Sequence, residues 1–471
     1  MTQPKSNNSG FATLVLVFFF WGFVAASNDI LIPVFKEHLK LAQWQSQMVS
    51  FAFYVAYTAG AVWYQRVSRW TGGDLLNRMG YKKGIALGLG ISALGTMLFY
   101  PAAETSSFEL FITGLFIVGL GFSLQQIAAN PLAVNLGDPA KGSQRLSLAG
   151  GVNNVGTTIG PVVVSLAIFG IATGATLKDL SAVKTPYLIL GAAFLAVAAL
   201  ILFSSLPDQI GSAAPDEKEQ AKDTRSIFSY RQLWMGMIAI FLYVGVEVST
   251  ASNLPEFLKQ HLHIGTDQVS PYVSLFWASL MIGRWTGAVG AFGVSDGLKK
   301  VLGIVLPYAA FGVFLLVNAI AGRDLSPFYI YAAILPLVII GNMLTNGKPA
   351  RQLLLYSILG IAALIIGMLA DGIVSVYAFI SVGLFCSTLW PCIFTLGITG
   401  LGSRTNDASS YLIMMIMGGG FVSVFQGWLS DPGLLGIQMG YIVGVVCFAY
   451  LAFYGWQMRS LVTHAEAVPV E

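Results

Sequence analysis

Fourteen runs of this chain are apolar enough, and at about 1.5 Å of rise per helical residue long enough, to cross roughly 30 Å of hydrocarbon. They fall at about 11–35, 44–66, 82–103, 108–136, 144–173, 185–206, 231–258, 268–291, 300–321, 326–345, 352–370, 373–398, 408–429 and 435–457. Hydrocarbon offers no water to backbone N–H and C=O groups, so a lone spanning segment must satisfy them internally, as a helix. The expected fold class is therefore an all-α polytopic membrane protein embedded in a lipid bilayer. Composition agrees: 56% of the 471 residues are hydrophobic and 10% charged, against about 25% charged in soluble domains. Lys5, the apolar run after it and Ala25-Ala26-Ser27 resemble a secretory signal. The run continues through Ile30-Leu31-Ile32-Pro33-Val34-Phe35, too long for a cleaved signal, so a retained first helix is expected.

Charge sets the sidedness. With a cytoplasmic N-terminus, 18 of the 25 Lys and Arg fall in inner loops or tails, 6 fall outside, and Arg284 is left in the membrane. That split satisfies the positive-inside rule and puts both termini in the cytoplasm. The pI of 8.6 then reflects topology, and no nucleic-acid partner is expected. The one long polar stretch, Pro207 to Tyr230, reads as a solvated linker. It divides an N-terminal half of six spans, residues 1–206, from a C-terminal half of eight, residues 231–471. The surplus pair is placed at about 296–350, a hairpin turning at Gly322-Arg323-Asp324-Leu325. An even insertion preserves the sidedness of everything after it.

The halves echo each other. Asn130-Pro131 is followed by Gly137 and Trp390-Pro391 by Gly397, at one offset. Each leads into a glycine-rich segment, Gly150-Gly151 and Gly418-Gly419-Gly420. The opening segments end alike in Pro33-Val34-Phe35 and Pro255-Glu256-Phe257. Internal repetition with interrupted helices marks an alternating-access transporter whose site lies between the repeats.

Two acids sit deep in apolar runs. Asp29 lies roughly 27 Å along a helix begun at Phe11, beyond the midplane yet within reach of a central cavity. A carboxylate there costs on the order of 3 kcal/mol, so a functional reading comes first, with a snorkelling interfacial acid as the alternative. Desolvation disfavours the charged form of a carboxyl, which suits such a group to proton exchange. Asn28 beside it extends a polar patch. Glu247, in Tyr243-Val244-Gly245-Val246-Glu247-Val248-Ser249-Thr250, occupies the opening helix of the second half and shares a face with Thr250. Gln125 and Gln126, with Asn130 one turn on, and Asn153-Asn154 supply amides that both donate and accept, as sugar hydroxyls require. A helix–helix polar clamp is the competing reading. Trp390 before Pro391 offers a stacking face, although an aromatic at a kink is more often packing. Arg284 reads as a helix-end residue bonding carbonyls or a carboxylate. Cys386, Cys392 and Cys447 show no metal or disulfide spacing. His38, His261, His263 and His464 all fall in loops or the tail, so no buried histidine relay is expected.

Several segments together resemble the fucose–galactose–glucose–proton symporters of the major facilitator superfamily: Asn28-Asp29-Ile30-Leu31-Ile32-Pro33, Phe51-Ala52-Phe53-Tyr54, Phe99-Tyr100-Pro101-Ala102-Ala103-Glu104, Ala128-Ala129-Asn130-Pro131, Lys184-Thr185-Pro186-Tyr187, Ile282-Gly283-Arg284, and Ser409-Ser410 leading to Gly418-Gly419-Gly420. Asn77-Arg78-Met79-Gly80-Tyr81-Lys82-Lys83 is similar to the superfamily's basic loop between its second and third helices. The resemblance implies the major facilitator fold, two pseudo-symmetric six-helix bundles, here with two extra helices. It implies a location in the bacterial inner membrane and a functional monomer. It also implies that Asp29 is the helix-1 acid and Asn153 the helix-5 asparagine of the family. The family's fourth-helix glutamate is replaced here by Gln126.

The function expected is import of a hexose of the glucose, galactose and fucose class, coupled to a cation. Asp29 and Glu247 are the candidate cation-coupling residues; Asn28, Gln125, Gln126, Asn130, Asn153, Asn154, Thr250 and Trp390 are the candidate sugar contacts. Proton is the coupling ion the family implies, with sodium as the alternative, and no other cofactor or metal is expected. A proton-driven exporter of apolar compounds is the competing transport reading, disfavoured by the amide cluster. A lipid-active enzyme is disfavoured because no intramembrane histidine or nucleophile constellation is present.

Overall fold

The computed structural model describes residues 8–71, 75–136, 142–170, 180–208, 226–288, 295–399, 401 and 405–465. Every regular element among them is helical. We label the long helices α1 (Asn8–Leu39), α2 (Met48–Trp70), α3 (Tyr81–Met97, continued by Phe99–Thr105), α4 (Phe108–Asn135), α5 (Gly142–Phe169) and α6 (Lys184–Leu202). There follow α7 (Arg231–Leu262), α8 (Ser270–Ala288), α9 (Asp296–Ile320), α10 (Leu335–Thr345, preceded by a 3-10 turn over Ser326–Ala333) and α11 (Pro349–Leu369). The last are α12 (Gly372–Cys386 with Leu389–Ile398), α13 (Thr405–Met414 and Gly418–Leu429) and α14 (Ile442–Ala465). The linker expected over 207–230 lies outside the described residues at 209–225, as do Lys5, Gly137, Lys141, Lys178 and Arg404.

Among the described residues, twelve helices are long and apolar enough to cross a membrane. Two runs expected to span, now α2 and α8, are absent from that set. They are 23 and 19 residues long, but serines, threonines and arginines such as Thr58, Arg66, Ser274, Ser279 and Arg284 dilute them. Helix ends differ from the sequence reading as well. His38 and His261, expected in loops, close the last turns of α1 and α7.

The internal echo has a structural counterpart in α1 and α7. Each is 32 residues long and carries a proline about three-quarters of the way along, Pro33 and Pro255. α1 lies along α5 at backbone contact. A Cβ added to Gly22 would stand 2.0 Å from the Asn153 carbonyl oxygen, and one on Gly156 2.2 Å from that of Phe19. Small residues at such crossings let van der Waals packing replace the hydrophobic drive that lipid cannot supply. Further on, α3 and α4, α2 and α4, and α3 and α6 pack together, while α7 packs on α13, α14 and α12, and α11 on α14. The most extensive links between these sets are α5 with α8 and α2 with α13, and α1 also touches α7 and α8.

α9 and α10 lie at the edge. Their apolar windows are 28% and 33% buried, the lowest of the twelve. α10 is held on α11 through Asn342, whose side-chain oxygen accepts from Tyr356 Oη at 2.7 Å and Gln352 Nε2 at 2.9 Å. The turn between α9 and α10 reaches α5, where Arg323 donates to Ser165 Oγ at 3.2 Å.

At the end holding the α1–α2 and α7–α8 junctions, the two sets of helices are tied together. Lys36 pairs with Glu256 at 2.6 Å and Lys259 with Glu37 at 3.3 Å. Thr266 also donates to Glu37 at 2.8 Å, and Gln43 to Asn253 at 2.8 Å. That end is shut.

If glycine sets the α1–α5 approach, Gly156→Leu overpacks it at a cost of about 1–3 kcal/mol. Its unfolding midpoint in detergent should fall clearly below that of Gly90→Ala, whose added methyl meets nothing within 4 Å. Equal midpoints would remove glycine as the determinant of the crossing.

Candidate functional site

Asp29 is 3% exposed, and one carboxylate oxygen accepts from Trp277 Nε1 at 2.8 Å. The donor comes from α8, so this bond crosses between the two sets of helices. Asn28 beside it is also buried, with a side-chain oxygen that has no protein partner. Ser27 turns inward and donates to the Phe23 carbonyl at 2.5 Å.

Glu247 lies on α7, accepts from the Tyr243 hydroxyl one turn earlier, and stands in the field of the Arg284 guanidinium. Arg284 bonds the Ser387 carbonyl through Nε at 3.2 Å and the Asn154 side-chain oxygen through a terminal nitrogen at 3.0 Å. It thus faces the interior, linking α8, α12 and α5, rather than merely capping a helix end. Tyr54 of α2 feels the charge of both Asp29 and Glu247. The two acids and Arg284 therefore belong to one interior region.

The amides divide by partner. Gln125 is fully buried; it accepts from Trp21 Nε1 at 2.9 Å and donates to Ser92 Oγ at 3.1 Å, joining α1, α3 and α4. Gln126 is half-buried and meets the Tyr57 hydroxyl. Asn130, one turn on, is half-buried too. Asn153 donates to the Phe18 carbonyl at 2.9 Å, reinforcing the α1–α5 crossing. Asn154 accepts from Arg284 but its amide nitrogen has no protein partner. Thr250 is fully buried; its carbonyl accepts from Tyr441 at 3.4 Å and its hydroxyl has no protein partner. Trp390 stacks on Phe394, ring centroids 5.0 Å apart.

Sequence reasoning missed Trp277 and the inward reach of Arg284. Both were open to detection, because Trp277 stands two helical turns before Arg284 and so on the same face. Tyr243 precedes Glu247 by one turn, the spacing of a helical side-chain pair. Among the described residues no group of three or more His, Cys, Asp or Glu could hold a metal ion.

The family model of the Major Facilitator Superfamily matches residues 11–347. The glucose/galactose transporter of Brucella abortus biovar 1 (strain 9-941) is 33% identical over 461 residues, covering 96% of this chain and 96% of that protein. The L-fucose-proton symporter of Escherichia coli (strain K12) is 27% identical over 471 residues, 96% of this chain and 93% of that one. A crystal structure of the transporter FucP in its outward conformation superposes with a TM-score of 0.61 at 26% identity, covering 95% of this chain and 98% of that one.

The bonds of Gln125 make a specific demand. Gln125→Leu leaves the buried Trp21 N–H without its partner, at about 1–3 kcal/mol, while the Ser92 hydroxyl keeps the Gly88 and Val118 carbonyls. The thermal unfolding midpoint should drop accordingly. An unchanged midpoint would mean that this amide is not a clamp.

Proposed function

The chain belongs to the fucose–galactose–glucose symporter family of the major facilitator superfamily, and on that premise we propose that it imports a hexose together with a proton. The observation that carries the reading is the buried Asp29 carboxylate, bonded across the interface to Trp277. A titratable group held there changes the strength of that bond when it gains a proton, because an N–H donates more strongly to an ionised acceptor than to a neutral one. The relatives' functions supply the ligand class, glucose, galactose or L-fucose. Gln126, Asn130 and Asn154 contact the sugar, with Asn28 beside the coupling acid; Gln125 and Asn153 position the helices around it. The chain acts as a carrier, not an enzyme.

Glu247 takes over the charge role of the glutamate that Gln126 replaces, with Arg284 as its counter-charge. Uptake of sugar by proteoliposomes under an imposed pH or sodium gradient tests both acids. Asp29→Asn should abolish accumulation against a gradient while leaving counterflow measurable, and Glu247→Gln should damage accumulation as severely. Gln126→Glu adds a titrating group beside the amides and should strengthen the pH-gradient response. Accumulation by Asp29→Asn would overturn the coupling assignment. Normal accumulation by Glu247→Gln would make Glu247 a structural acid, and drive by sodium alone would replace the proton.

In this reading fourteen helices span, α2 and α8 included: α8 is buried along most of its length, and α2 bonds across to α13 through Thr58. Residues 1–206 and 231–471 form the two bundles, residues 207–230 link them, and about 296–350 is the inserted hairpin. The basic loops face the cytoplasm with both termini, which sets the shut end outside. An impermeant thiol reagent should label a cysteine at Asp324 from outside and one at Gly347 only from inside. The reverse pattern would overturn the orientation.

A further inference from the structure

At the shut end, the short helix Gln43–Ser46, joined to α2 through Gln47, is wedged against α7 and α13. Gln43 Nε2 donates to Asn253, Gln47 Nε2 donates to the Ser252 carbonyl at 3.3 Å, and Gly427 of α13 abuts Gln47. α7 and α13 run parallel there. A Cβ on Gly418 would meet the Phe241 carbonyl and one on Gly245 would meet Val422, so one more turn sets Gln426 opposite Ser249. Gln43, Gln47, Ser249 and Gln426 are at most 3% exposed. Among the described residues, five of the fourteen buried side-chain N and O atoms without a protein partner belong to these four: Oε1 of Gln43, Oε1 of Gln47, Oγ of Ser249, and both Oε1 and Nε2 of Gln426.

An unpaired buried amide or hydroxyl is destabilising, and leucine would close a dry seam better. These groups therefore make sense in the other state of an alternating-access carrier, where this seam parts and they face the pathway. All four are uncharged and, by residue type, carry acceptors together with N–H or O–H donors, the complement of a neutral polyhydroxylated molecule. We infer that Gln43, Gln47, Ser249 and Gln426 form an outer sugar site, occupied before the sugar reaches the region of Asp29. This rests on the hexose-import reading above. In the shut state the same groups are squeezed against one another, which empties the site inward.

The test uses full-length protein in proteoliposomes, with Cys386, Cys392 and Cys447 replaced by alanine and a single cysteine introduced as Gln426→Cys or, separately, Gln47→Cys. To remove the central contacts, Gln126→Leu and Asn130→Leu are added. An impermeant methanethiosulfonate should label each cysteine from outside. D-glucose or D-galactose should slow that labelling about threefold at twice the site's Kd, while potassium chloride of equal osmolarity should not. Labelling that sugar leaves unchanged, or no labelling at either position, would overturn the outer site. Sugar counterflow by the unmodified protein decides the import reading separately: counterflow with no protection sinks only the outer site, and absent counterflow sinks the reading beneath it.

Discussion

A carboxylate can be kept in the interior of this molecule only because something reaches it, and the reach of Trp277 to Asp29 joins residues 248 positions apart. α5 is the common support of that bond. It holds α1 through the glycine crossing and the Asn153–Phe18 bond, and α8 through Ser274, whose hydroxyl donates to the Thr158 carbonyl at 2.7 Å. Arg284 adds a second polar tie from α8 to α5 at Asn154. A motion that separates α8 from α1 and α5 must break the Asp29 and Asn154 bonds together. Coupling a charge change at Asp29 to such a motion needs no contact beyond these.

The second acid follows a different logic. Glu247 has a hydroxyl donor one turn away and a guanidinium in its field. Removing one partner of a buried charge pair leaves the other uncompensated, which is far costlier than never having had the pair. In the reading proposed above, Glu247 on α7, with Arg284 facing it, takes the place of the glutamate that Gln126 replaces.

Much of this was legible in the sequence, because lipid imposes few options. Run lengths located the helices, and Asp29 and Glu247 stood out as costly acids in apolar surroundings. What was not legible were the choices among chemically equivalent side chains. Gln125 and Gln126 are adjacent and identical, yet a helix turns successive residues by about 100°. One therefore enters the α1–α3–α4 junction and the other meets Tyr57. Nor could apolarity alone describe α2 and α8, since several of the polar residues that dilute them bond across to other helices, as Thr58 does to the Met414 carbonyl and Ser274 to Thr158.

In the architecture proposed above the hairpin of α9 and α10 is an insertion, and its place in the fold shows why two added helices can leave such a core intact. It is added at the lipid-facing edge, where apolar surface costs little because the tails it displaces are equally apolar. Its polar ties include Asn342 against α11, and Arg323 against Ser165 of α5 with Asp267 adding charge attraction, besides Tyr331 with Ser279 of α8 and the Pro327 carbonyl with Tyr377 of α12. The second tie carries the greater consequence. It connects the tip of the insertion to α5, the helix that already holds α1 and α8, and to the α7–α8 turn at the shut end. The insertion is thus peripheral to the buried acids but continuous with the surface whose closure seals them in.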